Sequence, residues 1–82
     1  MLTANQAAVL RYLVRSDPAP GTAHDVSRHQ NMTVHTVMFC LQELWRLGYA
    51  QYGRDPAGAE PAPEDREYVP TLRGMVYFRS NP

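Results

Sequence analysis

Lysine is absent from this chain and cysteine nearly so. All eight basic side chains are arginine, a bias that fits a GC-rich genome as well as it fits phosphate-binding forks, so it decides neither. The single cysteine, Cys40, excludes an internal disulfide. It lies inside a helical apolar pattern, where a free thiol reads as a small buried hydrophobe, and no neighbouring group is placed to activate it. No apolar run approaches the ~20 residues that cross a bilayer, so no membrane span is expected. The start, MLTANQAAVL, lacks the basic segment and small-residue cleavage site of a secretory signal, and the expected location is the cytoplasm. Also missing are a glycine-rich phosphate loop and a nucleophile with an identifiable base, which leaves catalysis unsupported. His24, His29 and His35 match no ligand-pair spacing on one helix face, so neither a metal nor another cofactor is expected.

What is present is 82 residues with seven prolines and five glycines, enough for one core and one small domain of marginal stability unless it self-associates. The formal net charge of zero conceals two unlike parts. From Arg54 to Glu67, two arginines face five acids (Asp55, Glu60, Glu64, Asp65, Glu67), a balance of −3. The remainder sets six arginines against Asp17, Asp25 and Glu43, a balance of +3, so the folded part can present a mildly positive face.

Local signals divide the chain into helices and a hairpin. Thr3 and Gln6 form a capping box, Val9, Leu10, Leu13 and Val14 recur at helical spacing, and SDPAPG from Ser16 breaks the pattern, which predicts a helix over about 4–16. Thr22 with Asp25 repeats the capping logic, predicting a second helix over 23–30 with Ala23 and Val26 inward and Gln30 at its inner edge. Asn31 tolerates the left-handed conformation of a sharp inter-helix turn. Thr33 then caps a third helix over about 33–47, with Val37, Cys40, Leu41 and Leu44 as its inward stripe and Gly48 as its terminator. Beyond Gly48, Tyr49–Tyr52 and Glu67–Val69 are aromatic and β-branched and flank a Pro/Ala/acid stretch. Together they predict a wing over about 49–70 with a mobile tip at 55–65. Thr71 caps a last segment, 71–80.

The run Thr22, Ala23, Asp25, Val26, then Asn31-Met32-Thr33, Thr36-Val37, Leu41, Leu44 and Gly48 resembles the winged helix-turn-helix of MarR-type bacterial regulators. Asp65-Arg66, Tyr68-Val69, Thr71 and Gly74 are similar to that family's second wing strand and following helix start. The resemblance implies an α+β, mainly α fold: a three-helix bundle, a two-stranded β-hairpin wing and a short C-terminal helix. It also implies a cytoplasmic DNA-binding transcription regulator. Departures from the pattern are Asn31 in place of the usual turn glycine, Gln30 at a normally apolar site, and an acidic wing tip. In that family long terminal helices build the dimer; here the expected homodimer forms through helix one and the C-terminal MVYF segment.

At about 100° per residue from Val37, the residues His35, Phe39, Gln42 and Arg46 fall on the outer side of helix three, with Met38 and Trp45 on one flank and Thr36 on the other. In a helix-turn-helix that outer side meets base edges. Gln42 suits adenine, His35 a guanine acceptor, and Met38 or Phe39 a thymine methyl. Thr33 and the free amides at the helix start favour a phosphate, and Arg28, Arg46, Arg54 and Arg66 are expected on the DNA backbone. Blander readings stand beside these: Gln42 and Arg46 as a solvated face, Met38 and Trp45 as a core edge. A second functional reading makes Phe39, Met38 and Trp45 an apolar anchor for a protein partner, because no lysine or arginine lies between Asn31 and Trp45. Compact size and Arg-only basicity also suit a regulator of phage or mobile-element origin.

Overall fold

The computed structural model describes residues 1–53 and 57–80. Its elements run α1 (Ala4–Ser16), α2 (Ala23–Gln30), α3 (Val34–Arg46), β1 (Ala50–Tyr52), a 3₁₀ turn (Pro63–Asp65), β2 (Tyr68–Pro70) and α4 (Leu72–Ser80). Each helix start is closed by the side chain anticipated for it. The Thr3 hydroxyl accepts from the Gln6 amide at 3.1 Å, and the Gln6 side chain accepts from the Thr3 amide at 3.0 Å. Thr22 and Asp25 make the same reciprocal pair, both at 3.2 Å. The Thr22 amide holds the Asp25 carboxyl below the usual carboxylate range, since a bond to the charged form favours that form.

Asn31 takes φ 54° and ψ 41°, the left-handed conformation that turns α2 into α3. Thr33 then accepts from the Thr36 amide at 3.2 Å. Past α3, Gly48 adopts φ 85° and starts the chain toward β1. Thr71 is bonded in two directions: its hydroxyl donates to the Gly48 carbonyl at 2.6 Å and accepts from the Gly74 amide at 3.1 Å. One side chain thus caps α4 and ties it to the end of α3.

The apolar stripes meet in one core of Val9, Leu10, Leu13, Ala23, Val26, Val37, Cys40, Leu41, Leu44, Ala50 and Tyr68. Burying each leucine contributes about 1.5–3 kcal/mol before chain entropy is set against it. Val14, expected inward with its neighbours, sits half-buried at the stripe's edge. Burial also pushes the Cys40 thiol up, away from the reactive thiolate.

β1 and β2 pair antiparallel, with Ala50 opposite Pro70, Gln51 opposite Val69 and Tyr52 opposite Tyr68. Gly21 adds a bridge on the other edge of Tyr68, donating and accepting at 2.9 Å, so the segment that stops α1 also lengthens the sheet. The tip expected to be mobile is described only in part. Residues 55 and 56 lie outside the described residues, but Pro63–Asp65 forms a 3₁₀ turn against α2 and α3, with Pro63 at a position that needs no amide donor. Among the described residues no helix is long and apolar enough to cross a membrane.

Candidate functional site

Helix α3 is locked on its inner side by Val37, Cys40, Leu41 and Leu44, which forces the intervening residues outward. Phe39 is 70% exposed. His35 is also exposed, while Met38 and Gln42 are half-buried. These four residues line one shallow depression of about 110 Å³, because positions separated by three, four and seven residues stack along a single helix face. The predicted outer face is therefore real, with Met38 a wall of it rather than a bystander. Thr36 lies beside this face, half-buried, its hydroxyl accepting from the Thr33 hydroxyl at 2.9 Å.

The arginines expected on DNA backbone divide. Arg28 is exposed on α2. Arg46 is exposed near the end of α3, but its Nε donates to Glu43 Oε1 at 3.1 Å and Oε2 at 3.2 Å, so its charge is shared with a carboxylate on the same helix. That hydrogen bond holds the Glu43 carboxyl below its usual range. Arg54 lies outside the described residues.

Arg66 is placed differently from the expectation. Its guanidinium carbon sits 4.5 Å from the centre of the Tyr52 ring, and its Nη1 donates to the Tyr68 hydroxyl at 3.4 Å. Its Nη2 lies 3.7 Å from Glu60, and only 16% of the side chain is exposed. Its Nε is buried without a hydrogen-bond partner among the described residues. Arg66 braces the wing instead of projecting from it.

The brace exists because cross-strand pairing sets the Tyr52 and Tyr68 rings 5.2 Å apart and edge-on, giving a flat guanidinium a face to cover. Tyr52 also bonds Glu60 through its hydroxyl and leans against Trp45 at 5.9 Å. Trp45, half-exposed, is thus the joint between α3 and the wing. Sequence reading missed this cluster. Its one signal, an arginine two residues before Tyr68, means little without the strand register.

The C-terminal segment is likewise mostly committed to its own chain. Tyr77 packs on Tyr49 at 5.2 Å, the Leu2 amide donates to the Tyr77 hydroxyl at 3.4 Å, and Arg11 covers Phe78 at 5.9 Å. Of the residues expected to build a dimer, Val76 remains 51% exposed, joined on the outer side of α4 by Leu72 at 78%. The histidines stay apart: His29 packs against Tyr12 at 5.2 Å and its Nδ1 donates to the Asp25 carbonyl at 2.9 Å. Among the described residues no group of histidine, cysteine and acids is arranged to hold a metal.

Two helices joined by a left-handed turn, a helix-one support, and a hairpin after α3 define a winged helix-turn-helix. No protein-family model matches the chain, and no curated protein does. Solved structures share its fold. MarR of Staphylococcus aureus, in complex with salicylate and kanamycin, matches with a TM-score of 0.80 at 14% identity, over 95% of this chain and 48% of that one. MepR, a transcription regulator of the S. aureus multidrug efflux pump MepA, matches at 0.78 and 20% identity, over 96% of this chain and 54% of that one. FabT of Streptococcus pneumoniae in complex with DNA matches at 0.74 and 19% identity, over 96% and 51%. The chain spans about half the length of these proteins, and what it shares with them is the MarR-type winged-helix fold.

Proposed function

We propose that this protein is a small sequence-specific DNA-binding protein, a transcriptional regulator and not an enzyme. Helix α3 enters the major groove with His35, Thr36, Met38, Phe39 and Gln42 toward base edges, while Thr33 and the helix-start amides meet a phosphate. Arg28, Arg46 and Arg54 contact the backbone and set position without reading sequence; Arg66 acts indirectly, by holding the wing. The observation that carries the reading is the open face formed by His35, Met38, Phe39 and Gln42 on the second helix of the helix-turn-helix. A structural neighbour of this fold in complex with DNA supports it.

The protein acts as a homodimer on a two-fold site, with Leu72 and Val76 on α4 beside α1 as the contact, and it comes from a bacterium, a phage or a mobile element. The test is selection of genomic fragments by the purified protein, followed by binding at graded salt. Each phosphate contact contributes a log–log slope of about −0.9, so a shallow negative slope on the selected duplex is expected. No enrichment over random duplex would refute the reading.

One observation favours a second reading. The exposed Phe39 ring, with Met38 and Trp45, stands on a stretch without lysine or arginine from Asn31 to Trp45, as expected of an apolar anchor for another protein. Phe39→Ala abolishing a protein complex, with DNA selection negative, would establish it in place of the first.

A further inference from the structure

The α3 depression has a chemistry of its own within the proposed DNA face. Met38 and Phe39 form its apolar walls, and His35 and Gln42 frame it with groups that donate and accept hydrogen bonds. No charged residue occurs from Val34 to Gln42. The nearest fixed charges on the helix, Glu43 and Arg46, are paired with each other. A phosphate finds no lysine or arginine in the depression, whereas an uncharged base edge leaves no ion stripped of water. Electrostatic fit therefore favours the floor of the groove over its rim.

Size narrows the occupant further. About 110 Å³ admits several water-sized groups but falls well short of the ~300 Å³ at which small-molecule pockets begin. The depression is too small to enclose a drug-sized effector. Among the four bases, only thymine presents an apolar group, its C5 methyl, in the major groove.

We propose that the Met38–Phe39 depression is a methyl-reading site. Through it α3 selects 5-methylpyrimidines, meaning thymine and, by the same contact, 5-methylcytosine, while His35 and Gln42 bond the polar edges on either side. The proposal rests on the DNA reading above and specifies its ligand. Binding is then strengthened by individual methyl carbons of the DNA, and by cytosine methylation at the same positions.

The test uses the duplex selected by the full chain, with thymines replaced one at a time by deoxyuridine, which removes only the methyl. Fluorescence anisotropy at fixed salt is expected to show about fourfold weaker binding at one or two positions, equivalent to the ~0.8 kcal/mol of one buried methylene-sized group. At those positions 5-methylcytosine should bind more tightly than cytosine. Phe39→Ala should bind thymine and deoxyuridine duplexes equally, while Phe39→Leu, which keeps an apolar wall, should retain the preference; circular dichroism checks that both remain folded.

Equal affinity for thymine and deoxyuridine at every position, with the selected duplex still preferred over random DNA, overturns the methyl site and leaves the DNA reading standing. Failure to bind any duplex overturns both.

Discussion

Substituting Gly74 by alanine sets two effects of opposite sign against each other. In a helix interior alanine is favoured over glycine by about 0.8–1.0 kcal/mol, so propensity alone predicts a more stable α4. Packing predicts the reverse. A Cβ on Gly74 would lie 2.2 Å from the Tyr49 carbonyl oxygen and 3.1 Å from Leu10 Cδ1. The leucine tip can shift; the carbonyl cannot shift cheaply, because it accepts from the Thr71 amide at 3.1 Å at the root of β1.

Restoring an ordinary contact of about 3.5 Å moves α4 outward by more than an ångström, which loosens Tyr77 from Tyr49. Overpacking costs about 1–3 kcal/mol and the weakened Thr71 bond about 1 kcal/mol more. After the propensity gain is subtracted, the net destabilisation is about 1–3 kcal/mol. In a domain of this size each kcal/mol moves Tm by roughly 4–8 °C, so Gly74→Ala should melt at least about 4 °C below wild type by circular dichroism at matched protein concentration. An equal or higher Tm would show that α4 does not bear on Tyr49 as described.

Four further outcomes are expected. Asn31→Ala, forced to keep φ 54°, should lose about 1–2 kcal/mol in urea unfolding, whereas Asn31→Gly should not; equal losses would refute the left-handed turn. Because the folded Asp25 carboxyl titrates below its usual range, its contribution is complete above the unfolded value near pH 4 and vanishes as pH falls through the lowered folded value. Asp25→Asn should therefore flatten the acid limb of the Tm-versus-pH curve, and an unchanged limb would count against the Thr22 bond. Arg46→Ala should reduce the magnitude of the salt slope of DNA binding by about 1.8, about 0.9 for each copy in the dimer, and an identical slope would remove Arg46 from the phosphate contacts. Arg66→Met should weaken binding while leaving the salt slope unchanged, since Arg66 braces Tyr52; a shallower slope would return it to the backbone.

Short-range features of this chain were legible before any coordinates. Thr3, Thr22 and Thr33 each bond an amide three residues ahead, a relation that sequence spacing states outright. Asn31 was readable as a left-handed turn because few other side chains tolerate that conformation. Phe39 was readable as exposed because helix geometry turns it away from Val37, Leu41 and Leu44. The candidate face was legible in part for the same reason: periodicity within one helix turns His35, Phe39 and Gln42 outward together, but it put Met38 on a flank, and only the folded helix makes Met38 a wall of the depression.

What residue spacing could not supply depends on contacts between distant segments. Tyr68 is the largest fully buried side chain, yet nothing in its neighbourhood of the sequence distinguishes it from Tyr49 or Tyr52. Its burial follows from the pairing with Tyr52 and the bridge to Gly21. A hairpin whose strands are joined by a long connection has no turn type to set its register, so the Tyr52–Arg66–Tyr68 stack could not be foreseen, and the expectation of Arg66 on the DNA backbone took no account of its packing on the wing tyrosines. Local sequence determined which backbone bends and which face of each helix is apolar. Tertiary packing alone decided which charged and aromatic side chains face solvent and which are held within the wing, because burial is settled by whatever lies opposite in space.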